Sequence, residues 1–227
     1  PEGVPAELLK VDRETSVPDP VFKTGMTTLR IHFLYYRPEL WKSFNLYVNT
    51  IFGEQQSYEN IPIDPATATA TLSFLQCGTV NASLVLGYMS GVGGVYLAPG
   101  EEVDVYVDLR LFGYCLLQHR HEEGRCGKPA PFQYVHASGT YANLNAVENV
   151  LGSDFPSFNM PLYSGRFADY RMTSAEYAAH VAETYKTLAD SIGRSNLPPL
   201  EKEMAQLALR QQAFQAMSES DRMRLNN

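Results

Sequence analysis

Residues 94–108, with the sequence GVYLAPGEEVDVYVD, contain the strongest pattern in the chain and decide its fold class. After the Pro99-Gly100 turn, apolar and polar side chains alternate, which in a β-strand places them on opposite faces. The apolar members are Val103, Val105, Val107 and Leu109, and the polar members are Asp104, Tyr106, Asp108 and Arg110. We expect the apolar face to be buried and the polar face to be solvated, as in an antiparallel sheet. The strand is predicted to extend to residue 110.

Six other runs share this alternation or the β-branched composition that favours strands. They are residues 27–36, 44–49, 68–74, 83–86, 95–100 and 132–137. A long polar loop is predicted at residues 118–131, before the last strand. The Gly-rich segment 91–94 is predicted as a tight turn, because a phosphate-binding loop would need a following helix and usually a Lys. Short strands separated by turns predict an antiparallel β-sandwich.

Beyond Gly139 the apolar period becomes helical, and residues 141–151 are predicted to form a short helix. Thr173 and Glu176 have the spacing of a capping box and predict the start of a second helix. The Pro198-Pro199 pair opens a third helix. The apolar stripes predicted on the second and third helices are Tyr177, Val181, Tyr185, Leu188 and Ile192, and Leu200, Met204, Leu207 and Phe214.

The predicted fold is therefore mainly β with C-terminal helices, an antiparallel β-sandwich followed by a helical hairpin. Residues 1–21, which include four prolines, are predicted to form an extended N-terminal arm. Residues 22–140 form the sandwich, and residues 141–227 form the helical segment. We expect this segment to lead toward a further C-terminal domain beyond Asn227.

Composition and charge exclude several classes of function. The chain has 227 residues and a formal net charge of -7, so it lacks the excess of basic residues that nucleic-acid binding requires. No apolar run approaches the roughly 20 residues of a membrane-spanning helix, and no span is expected. Gly-x-Ser-x-Gly and Cys-x-x-Cys are both absent. We therefore predict that the chain itself is not an enzyme and needs no cofactor.

The densest group of reactive side chains is the segment HRHEEGRC at residues 119–126. His119, His121 and Cys126 are residue types that bind zinc or copper. However, the sequence offers no second cluster to complete a four-ligand set. The alternative is a charged, solvated loop tip. The prediction is that no metal is bound, with these three residues as the candidates if one is.

The cysteines raise a separate question about disulfide bonding. Cys115 and Cys126 would pair if the intervening loop folds back far enough and the chain is exported, since disulfides persist in oxidising compartments. The alternative is two unrelated thiols, because connectivity is not fixed by sequence. Cys77 precedes Gly78 at a strand end and is predicted to be a buried small apolar residue.

Several aromatic side chains are candidates for a binding surface. Their rings would stack on a sugar ring if their faces were exposed. The candidates are Tyr35, Tyr36, Trp41 and Tyr47, together with Tyr58. The alternative is that they cap the core of the sandwich or contact a neighbouring domain.

Three segments carry a family resemblance. Residues 94–108 have the form of an apolar strand, Pro-Gly-Glu, an apolar alternation and Asp, and residues 136–145 have the sequence HASGTYANLN. With the acidic helices after Met172, they resemble the N-terminal β-sandwich and helical region of exported Bacteroidetes thioredoxin-like proteins, the thiol-disulfide oxidoreductases of the TlpA/ResA group. The resemblance covers roughly residues 27–214 and carries no catalytic residue. In that family a thioredoxin domain with Cys-x-x-Cys follows, and this chain lacks it.

The resemblance implies a periplasmic or cell-envelope protein, with a lipid anchor upstream of Pro1 and a role in cell redox homeostasis. The first hypothesis is a non-catalytic accessory domain that positions substrates for a C-terminal thioredoxin-like domain of the same polypeptide, with protein or peptide clients as partners. The alternative is a surface carbohydrate-binding or structural β-sandwich protein of the cell envelope. A metal-binding protein built on His119, His121 and Cys126 is a third hypothesis.

Overall fold

The computed structural model describes residues 2–50, 55–87, 90–122, 133–151 and 173–224. The chain divides into two compact units. Unit 1 comprises residues 1–12 and 18–155, and unit 2 comprises residues 13–17 and 156–227. All the strands described below lie in unit 1.

Eight strands lie within the described ranges. They are β1 Gly25–Leu34, β2 Ser43–Thr50, β3 Gln55–Pro62, β4 Thr69–Gln76, β5 Val80–Leu86, β6 Ser90–Leu97, β7 Glu102–Asp108 and β8 Val135–Ala137. The first sheet has the order β4-β1-β7-β8, and the second has the order β3-β2-β5-β6. The prediction of a mainly β chain with C-terminal helices is confirmed.

The two sheets share one hydrophobic core. Alternate residues of each strand point into it, as the period of two in the sequence requires. Phe33 of the first sheet contacts Phe44 of the second, with ring centroids 5.7 Å apart. The largest fully buried side chains of this core are Phe44, Phe112, Leu29, Ile31, Leu46, Leu84, Leu86, Leu97 and Val48. The alternation of β7 is confirmed, since Val103, Val105 and Val107 are at most 1% exposed.

One strand pair departs from the antiparallel expectation. β1 and β7 run parallel, with Leu29 opposite Val103 and Ile31 opposite Val105. All other pairs are antiparallel. Parallel neighbours need a long crossover, and the crossover here contains every strand from β2 to β6. The alternation in the sequence identified the buried face of β7 but could not identify its partner.

The strand predicted to reach residue 110 ends at Asp108, and helix α1 (Leu109–Glu122) begins there. Asp108 is fully buried, and its Oδ1 accepts hydrogen bonds of 2.9 Å from the backbone N–H groups of Arg110 and Leu111. An Asp in this position caps the first turn of a helix, which is why the strand stops. The prediction of a loop at 118–131 is therefore wrong for residues 118–122. Residues 123–131 lie outside the described residues.

Two other predictions in the sheet region are also wrong. β3 is absent from the predicted strands, because most of its side chains are exposed and it lacks an apolar alternation. The Gly-rich segment lies inside β6 rather than in a turn. There the register against β5 shifts between Leu84 and Val85, which is the mark of a bulge.

Helix α2 (Ala142–Leu151) belongs to unit 1, and unit 1 therefore extends past the expected boundary near residue 140. Tyr141 donates a hydrogen bond from its hydroxyl to the Asp19 carbonyl at 3.0 Å, and it lies 2.7 Å from the Thr79 hydroxyl. The Asn143 amide donates to the Asp12 carbonyl at 2.7 Å. The N-terminal segment is thus attached to α2, to Tyr141 just before it and, through Val21, to Thr79 just before β5, by polar contacts that no local sequence pattern indicates.

Unit 2 contains α3 (Ser174–Arg194) and α4 (Pro199–Arg224). The predicted capping box is confirmed, since Thr173 and Glu176 bond to each other's backbone N–H groups. In α3 Tyr177, Val181 and Ile192 are buried, as the predicted stripe requires.

The stripe predicted for α4 is only partly correct. Leu200 is fully buried, but Leu207 and Phe214 are 45% and 75% exposed. The buried face instead contains Glu201, Ala205, Leu209 and Ala216. Residues 13–17 pack against this part of α4. Arg13 pairs with Glu201 at 3.3 Å, and the Val17 N–H donates to Glu203 at 2.7 Å.

Gly25 at the start of β1 packs closely against the backbone of the turn before β7. A Cβ added there would lie 2.8 Å from the backbone nitrogen of Gly100 and 2.9 Å from its Cα. We expect Gly25→Ala to lower the free energy of unfolding by about 1–3 kcal/mol, as overpacking against backbone does. Gly113→Ala in α1 is the control, because a Cβ there meets nothing within 4 Å and improves helix propensity. Chemical denaturation of both variants measures the difference, and an equal effect of the two would contradict the predicted clash.

Candidate functional site

The predicted aromatic binding residues lie in different environments. Tyr36, Trp41 and Tyr58 pack against the hydrophobic core. The Tyr36 hydroxyl donates to the Trp41 carbonyl at 2.6 Å, which fixes both residues at the edge of the core. Tyr47 lies between the buried Leu46 and Val48 and is therefore on the outward face of the second sheet. The structure thus favours the core-capping alternative for Tyr36, Trp41 and Tyr58.

Tyr35 has a structural role at the start of α1. It adopts a positive φ of 58° and is 41% exposed. The Arg110 guanidinium lies over its ring at 4.0 Å from the centroid, a cation–π contact. Arg110 Nη2 is also 3.9 Å from Asp108. Tyr35 thus contacts the residues that cap α1 and is not near Tyr47 in any described contact.

The cysteine and histidine candidates are only partly placed. His119 and His121 fall within α1 rather than in a loop, and Cys126 lies outside the described residues. Cys115 lies in α1 and is half-buried, and burial raises the pKa of its thiol. The two alternatives for Cys115 and Cys126, a disulfide or two unrelated thiols, therefore both stay open, and the absence of a bound metal stays a prediction. The prediction that Cys77 is buried is wrong, since it is exposed just after β4 ends.

A charged and aromatic cluster occupies the outer face of the first sheet, where β1 and β7 run side by side. Asp104 accepts from Arg30 at 3.1 Å and from Nε2 of His32 at 2.7 Å. The His32 ring stacks on Tyr106, with centroids 4.5 Å apart and planes 9° from parallel. The parallel register aligns Arg30 with Asp104 and His32 with Tyr106, so this cluster is a direct product of the β1–β7 pairing.

The same face continues onto β8, where it is covered by the N-terminal arm. His136 is opposite Tyr106 and is 3% exposed. Its Nδ1 donates to the carbonyl of Leu8, in a 3-10 turn at Ala6–Leu9, at 3.2 Å. Burial lowers the pKa of His136 and favours the neutral ring, although backbone hydrogen bonds to Leu8 and Gln133 oppose this shift. Sequence analysis missed this residue, because its partner lies 128 positions away.

A second buried polar group joins α2 to β6. The side chain of Asn145 satisfies both backbone groups of Tyr96, since Oδ1 accepts from the N–H at 2.7 Å and Nδ2 donates to the carbonyl at 3.1 Å. Glu148, one turn further along α2, accepts a hydrogen bond from the Tyr96 hydroxyl. Asn81 also bonds this hydroxyl. These contacts cover the outermost strand of the second sheet with a helix.

The Glu148 carboxyl has a raised pKa because it is buried. Its Oε2 is buried and has no hydrogen-bond partner among the described residues. Burial raises the pKa of Glu148 to about 7, although the bond from Tyr96 opposes this. Burial, and then the charge of Glu148, raises the pKa of Tyr96 to about 12. Glu148 thus changes its charge near neutral pH, at a position where ionisation leaves one buried carboxylate oxygen unsatisfied.

The strongest candidate for a binding surface is an apolar patch beside β4. We define it as Phe22, Met26 and Leu75, which are 68%, 57% and 56% exposed. Met26 and Leu75 are direct partners in the β1–β4 ladder, so their side chains lie on one face. Phe22 lies four residues before Met26, near the segment that bonds Thr79 through Val21. Large side chains exposed side by side, as Met26 and Leu75 are, mark contact sites more often than isolated ones do.

The described residues contain no group of three or more His, Cys, Asp or Glu side chains arranged to hold a metal ion. None of the described helices is long and apolar enough to cross a membrane. No family model, curated protein or solved structure matches this chain. The interpretation of function therefore depends on the surfaces of the molecule itself.

The Glu148 carboxyl predicts a pH dependence of stability with a definite sign. Its pKa is about 7 in the folded chain, above the ordinary 4.5, so its stabilising contribution is complete below pH 4.5 and is lost as pH rises to 7. Glu148→Gln removes the ionisable group at this position. Between pH 5 and pH 8, the free energy of unfolding of the wild type should therefore fall by up to about 3 kcal/mol more than that of Glu148→Gln.

Denaturant titrations at the two pH values measure this difference, and His136 affects both proteins equally. Glu59→Gln on β3 serves as the control for loss of an exposed carboxylate. A Glu148→Gln variant with the same pH slope as the wild type would contradict the prediction.

Proposed function

We propose that the chain is a non-catalytic accessory domain that holds client polypeptides for a thioredoxin-like domain C-terminal to it, in an exported thiol-disulfide oxidoreductase of the cell envelope. The observation that carries this proposal is the apolar patch of Phe22, Met26 and Leu75. A reductase acts on proteins that are unfolded or partly folded, and such clients expose apolar side chains. An exposed apolar surface on a rigid sheet is a suitable contact for them.

The position of the patch supports the same proposal. Leu75 lies near the end of β4, the outermost strand of the first sheet, and the exposed Cys77 follows it. The buried side chains of β1 and β4 hold the exposed ones in a fixed arrangement, so no ordering of the domain itself is needed on binding. The family resemblance of residues 94–108 and 136–145 supports the redox parent and the envelope location, with a lipid anchor upstream.

Binding to an unfolded client tests the role of the patch. The probe is a reduced, carboxymethylated globular protein that cannot refold, and its affinity is measured by fluorescence anisotropy. Leu75→Asp should weaken binding by about tenfold or more, because it places a charge in the centre of the apolar contact.

Leu40→Asp is the matched control, because Leu40 is 60% exposed but lies in the connection between β1 and β2, outside the β1–β4 ladder. Equal weakening by both substitutions would indicate a general effect of charge. Absence of any binding by the wild-type chain would remove the support for a client-holding role.

The redox parent is tested separately by the gene sequence downstream of Asn227. A Cys-x-x-Cys motif is expected within about 100 residues, which is the length of one further domain. A stop codon directly after Asn227 would exclude the thioredoxin-like partner in the same polypeptide.

A further inference from the structure

The four outermost strands differ in how much of their backbone remains free for a partner. On β6, Asn145 occupies both backbone groups of Tyr96. Strand β8 has only three residues. Strand β3 is polar and has a register shift against β2, and such irregularity discourages strand addition. Strand β4 has eight residues that pair with β1 without a register shift.

The direction of the β4 backbone groups follows from two hydrogen bonds. The Phe33 N–H donates to Ala68 at 2.9 Å, so the odd-numbered residues of β1 bond toward β4. The Thr28 N–H donates to Glu101 at 2.9 Å, so the even-numbered residues bond toward β7. Antiparallel pairs bond at every second residue. The even-numbered residues of β4 are the partners of the odd-numbered residues of β1 and therefore bond inward.

The odd-numbered residues of β4 consequently direct their backbone groups away from β1. At Thr69 the carbonyl already accepts from the Asp64 N–H at 2.8 Å. Thr71, Ser73 and Leu75 remain, and no described strand pairs with this side of them. Their side chains are exposed as well. Three N–H and three C=O groups thus form a regular row that spans about 13 Å.

We infer that an extended client segment adds to β4 as a fifth strand, through the backbone of Thr71, Ser73 and Leu75; this rests on the proposed client-holding function and specifies its site. Only another extended polypeptide presents N–H and C=O groups with the same repeat. The added strand runs antiparallel to β4, so the client residues that hydrogen-bond to β4 carry their side chains on the same face as their β4 partners. The client residue opposite Leu75 therefore contacts Leu75, whose other neighbour on this face is Met26 of β1, and an apolar side chain fits there.

The substrate class follows from both faces of the added strand. Intervening client side chains point to the inner face, beside the partly exposed Leu72 and the buried Phe74. The fitting client is a β-prone segment of five or more residues, with an apolar residue opposite Leu75 and without proline at the bonded positions. Neither a folded helix nor a glycan supplies this row of backbone groups.

Backbone-methylated peptides test the inference without altering the protein. The probe is a capped peptide that alternates Val and Thr, with Lys at each end. One derivative carries N-methyl groups on the Val residues, whose side chains suit the apolar patch, and the other carries them on the Thr residues. The first should bind about tenfold or more weakly than the parent peptide, because its bonding N–H groups are lost, and the second should stay within about threefold.

The matched protein variants are Ser73→Pro and Ser73→Ala. Both lose the Ser73 hydroxyl, which contacts Thr28 at 2.9 Å, but only proline removes the outward N–H. Ser73→Pro should weaken binding of the parent peptide about tenfold relative to Ser73→Ala, with circular dichroism as the check on folding. If Ser73→Pro does not fold, the methylated peptides decide.

The outcomes separate this inference from the proposed function. If the parent peptide binds but both methylated derivatives bind as tightly, the client is held through side chains and the strand-addition inference is overturned. If the wild-type chain dimerises in analytical ultracentrifugation and Ser73→Pro does not, a second copy occupies the edge, which also overturns it. If neither the peptide nor the unfolded protein binds, the proposed function fails together with the inference.

Discussion

The parallel pairing of β1 with β7 is the constraint on which the rest of unit 1 depends. It places two strands that are separated by five others side by side in one sheet. The chain between them must leave the first sheet, form β2 and β3, return as β4, and leave again to form β5 and β6. The strands of this crossover place apolar faces against the opposite sheet, so the crossover between β1 and β7 also builds the hydrophobic core.

The same pairing determines the polar surfaces. Its register aligns Arg30 and His32 with Asp104 and Tyr106 and produces a hydrogen-bonded, stacked cluster on the outer face. It also directs the odd-numbered residues of β1 toward β4, which leaves the opposite side of β4 unpaired by any described strand. The outermost strand β6 of the second sheet differs, because Asn145 of α2 hydrogen-bonds to the backbone N–H and C=O of Tyr96 in β6. This asymmetry between β4 and β6 is what favours one edge over the other as a docking site.

Two buried carboxyl groups, those of Asp108 and Glu148, differ in how far hydrogen bonds offset their burial. Asp108 is fully buried, and its Oδ1 accepts from two N–H groups at the start of α1, while its Oδ2 has no hydrogen-bond partner among the described residues. Glu148 is compensated less completely, and its raised pKa expresses that deficit. The difference is geometric, since Asp108 lies at a helix N-terminus with free donors and Glu148 lies within a helix whose donors are already used.

Elements with a local signal could be predicted from the sequence. The alternation of Val103, Val105 and Val107 defined a buried strand face, and Thr173 with Glu176 defined the start of α3, because a side-chain period and a capping box need only near neighbours. The Asp108 cap with Leu109 and Phe112 at helical spacing is also local and would have predicted α1, but the alternation was extended two residues too far. Long-range packing determines the partner of β7, the strand character of the polar β3, the buried face of α4 and the positions of His136 and Glu148. These depend on residues far apart in the chain, and neither periodicity nor propensity contains information about which distant strand or segment a face will meet.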